Sequence, residues 1–191
     1  MQDLHRRGWC DGTGGNFSIV QQREPLQLLM APSGVDKGQV RADQLIVVNE
    51  ACHVLSGQGK ASAETSLHLR VVKETQAGAV LHTNSVTSTV LSRQFENNEG
   101  LSLEGWEMLK GLDGINTHAT SIHIPVISNS QSMQELGDAI APSLSSAPQG
   151  FLVAGHGRYA WGTNLEASKR HIEILELLLQ VKLTQMQFKQ S

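Results

Sequence analysis

Long apolar runs and clustered positive charges are both missing from this chain. A segment that spans a bilayer needs about 20 consecutive apolar residues, and every uninterrupted apolar run here is much shorter. The 15 lysines and arginines are scattered along the chain, whereas proteins that bind nucleic acids or anionic membranes concentrate such residues on one surface. We therefore expect that neither a nucleic acid nor a membrane is a partner of this protein.

Cysteine is also scarce. The only two, Cys10 and Cys52, are too far apart for a metal-binding motif, and the first 30 residues lack the apolar core of a signal peptide. Both observations predict a cytoplasmic protein with reduced thiols. Repeats and linkers are absent as well, and 191 residues are enough to bury a core, so we predict one domain that covers residues 1–191.

Apolar residues follow strand and helix patterns in alternation. The predicted strands are short apolar runs bounded by turn residues, at 17–20, 26–30, 44–48, 79–82, 122–127 and 151–154. Helical spacing begins near Ser62, and capping-box patterns at 132–135 and 163–166 open two further helices. Because strands that pair as hairpins are interleaved with helices, the pattern predicts an α/β domain with a largely antiparallel sheet.

Two of the predicted strands lead to side chains that bind metals. The run at 79–81 ends at His82, and Asn84 follows at a spacing that places both side chains on one face of a strand. The run at 151–154 ends near His156. Two histidines at strand ends predict one metal centre, in which the amide of Asn84 is a poorer zinc ligand than an imidazole.

Three segments have features of an anion site. In 12–16, closely spaced glycines allow backbone N–H groups to approach a phosphate or carboxylate, although a tight turn before a strand explains them equally well. A second segment is the turn that contains Ser33 and Gly34. The third is Ser62 at the predicted helix start, where its hydroxyl either faces an anion or caps the helix. Because the chain has no basic patch, such local groups must bind any anionic ligand.

Two carboxylates are candidates for proton transfer. Glu107 lies among bulky apolar residues at 106–111, and such surroundings raise the pKa of a carboxyl group toward the range useful for catalysis. The alternative is a half-exposed helix residue that pairs with Lys110. Glu64 lies in the first turn of the helix after Ser62, where it either serves catalysis or stabilises the helix dipole.

The order of these motifs resembles that of the class II aldolase and adducin family. The resemblance covers nearly the whole chain and rests on the segments 7–9, 12–18, 31–35, 62–65, 82–85, 107–111, and 156–157 with 161–162. It implies a three-layer α/β/α fold, a homotetramer and one Zn²⁺ per subunit.

Site residues follow from this resemblance by position. His82 and His156 match zinc ligands, and Asn84 stands where the family has a second histidine on the same strand. Four residues match those that hold the substrate phosphate: Asn16, Ser33, Gly34 and Ser62.

The segments 7–9, 31–35 and 107–111 most resemble the dehydratase branch of the family. This implies that Glu107 is the acid/base, while Glu64 stands where the aldolases have their catalytic carboxylate. The implied reaction is the zinc-dependent dehydration of 5-methylthioribulose 1-phosphate to 2,3-diketo-5-methylthiopentyl 1-phosphate in methionine salvage. Two alternatives stay open: a class II aldolase or epimerase that acts on another small sugar phosphate, and a non-catalytic assembly module like the adducin head domain.

Overall fold

The structure is a computed structural model that describes residues 1–98 and 100–188. Its helices are α1 (Gln2–Arg6), α2 (Thr65–Thr75), α3 (Val86–Gln94), α4 (Met133–Ile140) and α5 (Leu165–Phe188). Its strands are β1 (Asn16–Arg23), β2 (Leu26–Met30), β3 (Ile46–Asn49), β4 (Val54–Ser56), β5 (Ala79–Thr83), β6 (Gly100–Glu104), β7 (Ser121–Ile127), β8 (Gly150–Val153) and β9 (Gly157–Gly162). Short 3₁₀ turns lie at 42–44, 96–98, 107–111 and 141–143.

All of these strands join one sheet in the order β4-β3-β2-β1-β5-β9-β8-β7-β6. Neighbouring strands are antiparallel except β7 and β8, which are parallel. The predicted antiparallel character is therefore confirmed, and β1 and β2, which contain the predicted strands 17–20 and 26–30, pair as a hairpin. The order places β1, β5 and β9 side by side at the centre of the sheet, which determines where polar side chains converge.

Helices cover both faces of the sheet. Leu81 of β5 belongs to one cluster of buried residues with Leu91 of α3 and Leu175 of α5. Its neighbour Val80 belongs to another, with residues of α2 and with Leu136 of α4. Adjacent strand residues point to opposite faces, so the sheet is the middle layer between two layers of helices. The predicted three-layer α/β/α arrangement is confirmed.

The long helix α5 is held by its apolar face and by a cap. Ile172 and Leu175 are almost fully buried, and burying such a side chain stabilises the fold by roughly 1.5–3 kcal/mol. Oδ1 of Asn164 accepts a hydrogen bond from the backbone N–H of Ala167 at 2.9 Å, so Asn164 caps the helix rather than Thr163. Among the helices of residues 1–98 and 100–188, none is long and apolar enough to cross a membrane.

Candidate active site

The centre of the sheet gathers three polar side chains. His82 in β5 pairs with Asn16 of β1 on one side and with Tyr159 of β9 on the other. Directly opposed residues in neighbouring strands have side chains on the same face. The register therefore brings these three side chains together, although they are far apart in sequence.

His156 reaches the same place from a tight turn between β8 and β9, in which Gly155 has a φ of +64°. A Cβ at Gly157 would lie only 2.3 Å from the carbonyl oxygen of Thr83, so glycine is needed for β9 to begin against the end of β5. This close approach places the ring centroids of His156 and His82 4.8 Å apart.

Glu64 completes a cluster of three potential metal ligands. Its Oε1 lies 3.2 Å from Nε2 of His156 and 3.8 Å from Nε2 of His82, and one ligand atom from each residue lies within 4.8 Å of the others. Ligand atoms about 2.1 Å from a zinc ion are about 3.4 Å apart in a tetrahedral site. Because two imidazoles and one carboxylate also occur together at catalytic zinc sites, this cluster fits a divalent metal.

The protonation state of His82 suits a metal ligand. Its Nδ1 lies 2.9 Å from the carbonyl oxygen of Arg158. Since that oxygen only accepts hydrogen bonds, Nδ1 carries the hydrogen and Nε2 keeps its lone pair. Burial lowers the pKa of His82 to about 4, against the opposing effect of the Glu64 charge. His82 is therefore neutral at pH 7, which is the form that binds a metal.

Two hydrogen bonds orient the carboxylate of Glu64. Oε1 accepts from the hydroxyl of Tyr159 at 3.0 Å, and Oε2 accepts from the amide of Asn16. Burial, reinforced by the Glu64 charge, raises the pKa of Tyr159 well above its usual value, so the phenol stays protonated. Tyr159 also stacks on His82, with ring centroids 4.2 Å apart. The sequence patterns did not indicate Tyr159; its one distinguishing signal is that it is the only tyrosine of the chain.

Asn84 lies beside this cluster. Its Nδ2 is 3.1 Å from Nε2 of His82 and 3.1 Å from the carbonyl oxygen of His156. Its Oδ1 is buried and has no hydrogen-bond partner among the described residues. Rotation of the amide would turn this unpaired oxygen toward His82, so Asn84 offers an oxygen ligand only at the cost of its present hydrogen bonds.

The residues predicted to hold a phosphate line the same pocket as the three potential metal ligands. They are Asn16, Ser33, Gly34 and Ser62. The structure thus brings together both predicted parts of the site. The pocket is also lined by Thr13 of the predicted segment 12–16, and by Asp11 and Lys37, which the sequence patterns did not indicate.

Glycine positions the loop 12–16 against β5, the strand that carries His82. Gly15 has a φ of +78°, and a Cβ at this residue would lie 2.9 Å from the carbonyl oxygen of His82. A side chain there would therefore push the loop away from β5. The loop is more than a generic turn, because its close approach to His82 forms one wall of the pocket.

Ser62 does not cap a helix. Helix α2 begins at Thr65, with Glu64 at the N-cap position rather than in the first helical turn. Oγ of Ser62 accepts from the backbone N–H of Glu64 at 3.3 Å, and its carbonyl oxygen accepts from the N–H of Thr65 at 3.1 Å. Ser62 therefore shapes the turn that delivers the Glu64 carboxylate to the pocket.

Glu107 is not among the side chains that line this pocket in the described part of the chain. Its side chain is 64% exposed and contacts Lys110 and, at 3.4 Å, Nδ1 of His118. The ammonium group of Lys110 lowers the pKa of Glu107, whereas an apolar environment would raise it; the neighbouring Trp106 is itself exposed. Within one chain, the structure shows the pairing with Lys110, and the catalytic role of Glu107 stays a prediction.

A buried ion pair stabilises the end of β5, the strand that carries His82. The guanidinium group of Arg158 contacts Glu176 of α5 and donates to Oγ of Ser85 at 2.8 Å. It also lies 4.6 Å from the centre of the Trp9 ring. Because Ser85 directly follows Asn84 and caps α3, these contacts tie β9 and α5 to the end of β5.

Comparison with known proteins identifies relatives along almost the full length. The family model described as Class II Aldolase and Adducin N-terminal domain matches residues 1–183. A methylthioribulose-1-phosphate dehydratase of Serratia proteamaculans is 44% identical over 184 residues, which are 94% of this chain and 88% of that protein. A protein of the same name from Yersinia enterocolitica is 43% identical over 184 residues, which are 94% of this chain and 86% of that protein.

Solved structures share the fold. An L-fuculose 1-phosphate aldolase superposes with a TM-score of 0.79 at 22% identity, over 98% of this chain and 82% of that one. The L-fuculose-1-phosphate aldolase of Thermus thermophilus gives a TM-score of 0.75 at 24% identity, over 100% of this chain and 93% of that one. At these identities the likeness concerns the fold alone, and it agrees with the α/β/α architecture.

Proposed function

The chain belongs to the class II aldolase and adducin N-terminal domain family, and we propose that it is a hydro-lyase that removes water from 5-methylthioribulose 1-phosphate. Relatives 43–44% identical over most of the chain are methylthioribulose-1-phosphate dehydratases. One structural observation carries the proposal: a single pocket unites three potential metal ligands with four residues suited to a phosphate.

The proposed product is 2,3-diketo-5-methylthiopentyl 1-phosphate, an intermediate of methionine salvage. In this reaction the proton on C3 is removed, the C4 hydroxyl leaves as water, and the resulting enol ketonises. The hydroxyls of Ser33 and Ser62, the amide of Asn16 and the backbone at Gly34 bind the phosphate in this proposal. Holding that end of the ketose orients its C3 toward the metal ligands.

We propose Zn²⁺ as the cofactor, one per subunit, held by His82 and His156. Glu64, and Asn84 after rotation of its amide, are the candidates for the remaining protein ligand. When bound, the metal polarises the C2 carbonyl and the C3 hydroxyl and so makes the C3 proton more acidic. The chain is proposed to act as a cytoplasmic homotetramer.

Proton transfer is assigned to the two carboxylates. One oxygen of Glu64 faces both imidazoles, so this carboxylate either binds the metal or accepts the C3 proton once substrate is bound. The hydroxyl of Tyr159 holds that oxygen in place and stays protonated. We also propose that Glu107 is an acid/base of this reaction, as the family resemblance implies.

The proposed reaction is tested by incubating zinc-loaded protein with 5-methylthioribulose 1-phosphate and following the loss of water by mass spectrometry. We expect turnover that disappears after chelation and returns when zinc is restored. Absence of turnover in a metal-replete sample would overturn the proposal. Release of dihydroxyacetone phosphate or an aldehyde from another sugar phosphate would identify the aldolase alternative instead.

A further inference from the structure

Lys37 lies buried between the two loops that form the predicted phosphate site. Its side chain is only 1% exposed. Nζ donates one hydrogen bond to the carbonyl oxygen of Thr13 and another to that of Val35, both at 3.0 Å. Thr13 belongs to the glycine-rich loop 12–16 and Val35 follows the turn of Ser33, so one ammonium group connects both walls of the pocket.

In the part of the chain that the structure describes, the charge of Lys37 has no ionic partner. No carboxylate oxygen of the described residues lies within 4.0 Å of its Nζ. A buried cation is costly unless an opposite charge offsets it, and two carbonyl dipoles are neutral partners. Burial lowers the pKa of Lys37, and the surrounding groups Cys10, Asp36 and Glu64 act in the opposite direction. A cation in this position is suited to an anion that arrives from outside the chain.

The pocket needs this charge if it is to accept a phosphate. Lys37 is the only lysine or arginine that lines it within the described residues, whereas two carboxylates, Asp11 and Glu64, line it as well. The predicted phosphate ligands are neutral hydroxyl, amide and backbone groups. Without Lys37, the phosphate dianion would face acidic groups and no cationic side chain.

We propose that Lys37 is the charged residue of the phosphate subsite, which positions the loops at Thr13 and Val35 and offsets the negative charge of the substrate phosphate. This inference rests on the proposed function, because that function makes the anion a sugar phosphate. It adds a residue that determines binding rather than chemistry, since Lys37 is not one of the three potential metal ligands.

The test compares Lys37→Met, which removes the charge and both hydrogen bonds, with Lys37→Gln, which removes the charge but keeps N–H donors. Loss of a hydrogen bond from a charged group corresponds to about a tenfold to hundredfold weaker interaction. We expect the KM for 5-methylthioribulose 1-phosphate to rise by about that factor in both variants, with kcat changed much less and zinc content unchanged. Inhibition by inorganic phosphate should weaken in parallel.

Lys60→Met is the matched control, because it removes the same charge from an exposed lysine that does not line the pocket. Its phosphate inhibition should equal that of the unchanged protein. Thermal unfolding with and without inorganic phosphate gives a second readout that needs no turnover: phosphate should raise the Tm of the unchanged protein and of Lys60→Met, but not of the Lys37 variants.

Equal phosphate stabilisation in the Lys37 variants and the unchanged protein would overturn the role of Lys37, whatever the reaction. If the unchanged protein binds phosphate through Lys37 but does not dehydrate the ketose, the proposed reaction fails and the anion subsite stands. A fall in kcat and zinc content at constant phosphate binding would also contradict the inference, because it would place Lys37 in the support of the metal cluster.

Discussion

The side-chain nitrogen of Asn84 lies 3.1 Å from Nε2 of His82, the nitrogen that faces Glu64. Because Nδ1 of His82 donates to a backbone carbonyl, Nε2 carries the lone pair that accepts a hydrogen bond from the amide. A metal needs this same lone pair. In the described conformation Asn84 therefore competes with a metal for His82, whereas a histidine in its place would add a ligand.

Replacing Asn84 by histidine should strengthen zinc binding. We expect Asn84→His to bind Zn²⁺ at least about tenfold more tightly than the unchanged protein, since it removes the competing N–H group and adds an imidazole. Asn84→Ala is the control, because it removes the N–H group without adding a ligand. Competition titrations with a zinc chelator measure all three. Equal affinity in Asn84→His and the unchanged protein would show that position 84 is not a ligand.

Substitution of the two candidate carboxylates should affect zinc binding and catalysis differently. Glu64→Gln removes the charged oxygen beside both imidazoles, so we expect weaker zinc binding together with a fall in kcat/KM of about 10²–10⁴-fold. Glu107→Gln should leave zinc content unchanged and lower kcat by about 10²-fold or more if Glu107 is the acid/base. Metal analysis and steady-state kinetics on the same preparations separate the two effects.

Glu104→Gln is a suitable control for that comparison, because Glu104 is an exposed carboxylate at the end of β6, shortly before Glu107 in the sequence. An unchanged kcat in Glu107→Gln would contradict the acid/base role implied by the family resemblance. It would agree with the exposed ion pair that Glu107 forms with Lys110, and of the two carboxylates predicted for proton transfer it would leave Glu64.

Elements with strong local patterns were predictable from sequence. The hairpin β1–β2, the strand before His82 and the cap at Ser132 have clear apolar runs or capping residues, and Oγ of Ser132 indeed accepts from the N–H of Glu135. Helix α3 was not predicted, because it is rich in serine, threonine and valine, which favour helices weakly. Strand β9 was missed since Gly157 and Arg158 open it and only the short apolar run 159–161 follows before Gly162.

The site was predictable where chemistry coincides with a motif. His82, His156 and Ser33 belong to recognisable segments. By contrast, Tyr159 contacts Glu64 only because strand register places it there, and Lys37 enters the pocket only through loop packing. Neither relation has a sequence spacing that reveals it. Long-range placement of this kind requires the fold.

Removing one partner of the buried pair Arg158 and Glu176 should lower the free energy of unfolding strongly, whereas replacing both partners by apolar residues should lower it much less. Glu176→Leu leaves an unpaired buried guanidinium, so we expect the free energy of unfolding to fall by about 3–5 kcal/mol. The double variant Arg158→Met/Glu176→Leu removes both charges and should recover most of this loss. Urea unfolding of the metal-free proteins measures both values.

The exposed pair of Arg70 and Glu74 supplies the comparison, with a separation of 3.1 Å within α2. Glu74→Leu should cost no more than about 1 kcal/mol, because water screens an exposed ion pair. If the double variant at Arg158 and Glu176 is as unstable as Glu176→Leu alone, the instability comes from lost packing and not from an unpaired charge.

The buried histidine of α2 should make stability depend on pH. His68 is fully buried, its Nδ1 lies 2.7 Å from Oγ of Ser18, and burial followed by the nearby His82 lowers its pKa to about 3. A histidine in the unfolded chain titrates near pH 6.5. Between about pH 6.5 and pH 3 the unfolded chain therefore binds a proton that the folded chain does not.

The contribution of His68 is thus complete above about pH 6.5 and is lost as the pH falls below it, by up to about 1.4 kcal/mol per pH unit. His68→Gln keeps a polar partner for Ser18 but does not titrate, so its unfolding free energy should fall less steeply between pH 6.5 and pH 5 in urea titrations. His53→Gln replaces an exposed histidine and should retain the original slope. Equal slopes in all three proteins would mean that His68 takes up its proton in the folded chain, and that its contact with Ser18 does not depend on the neutral ring.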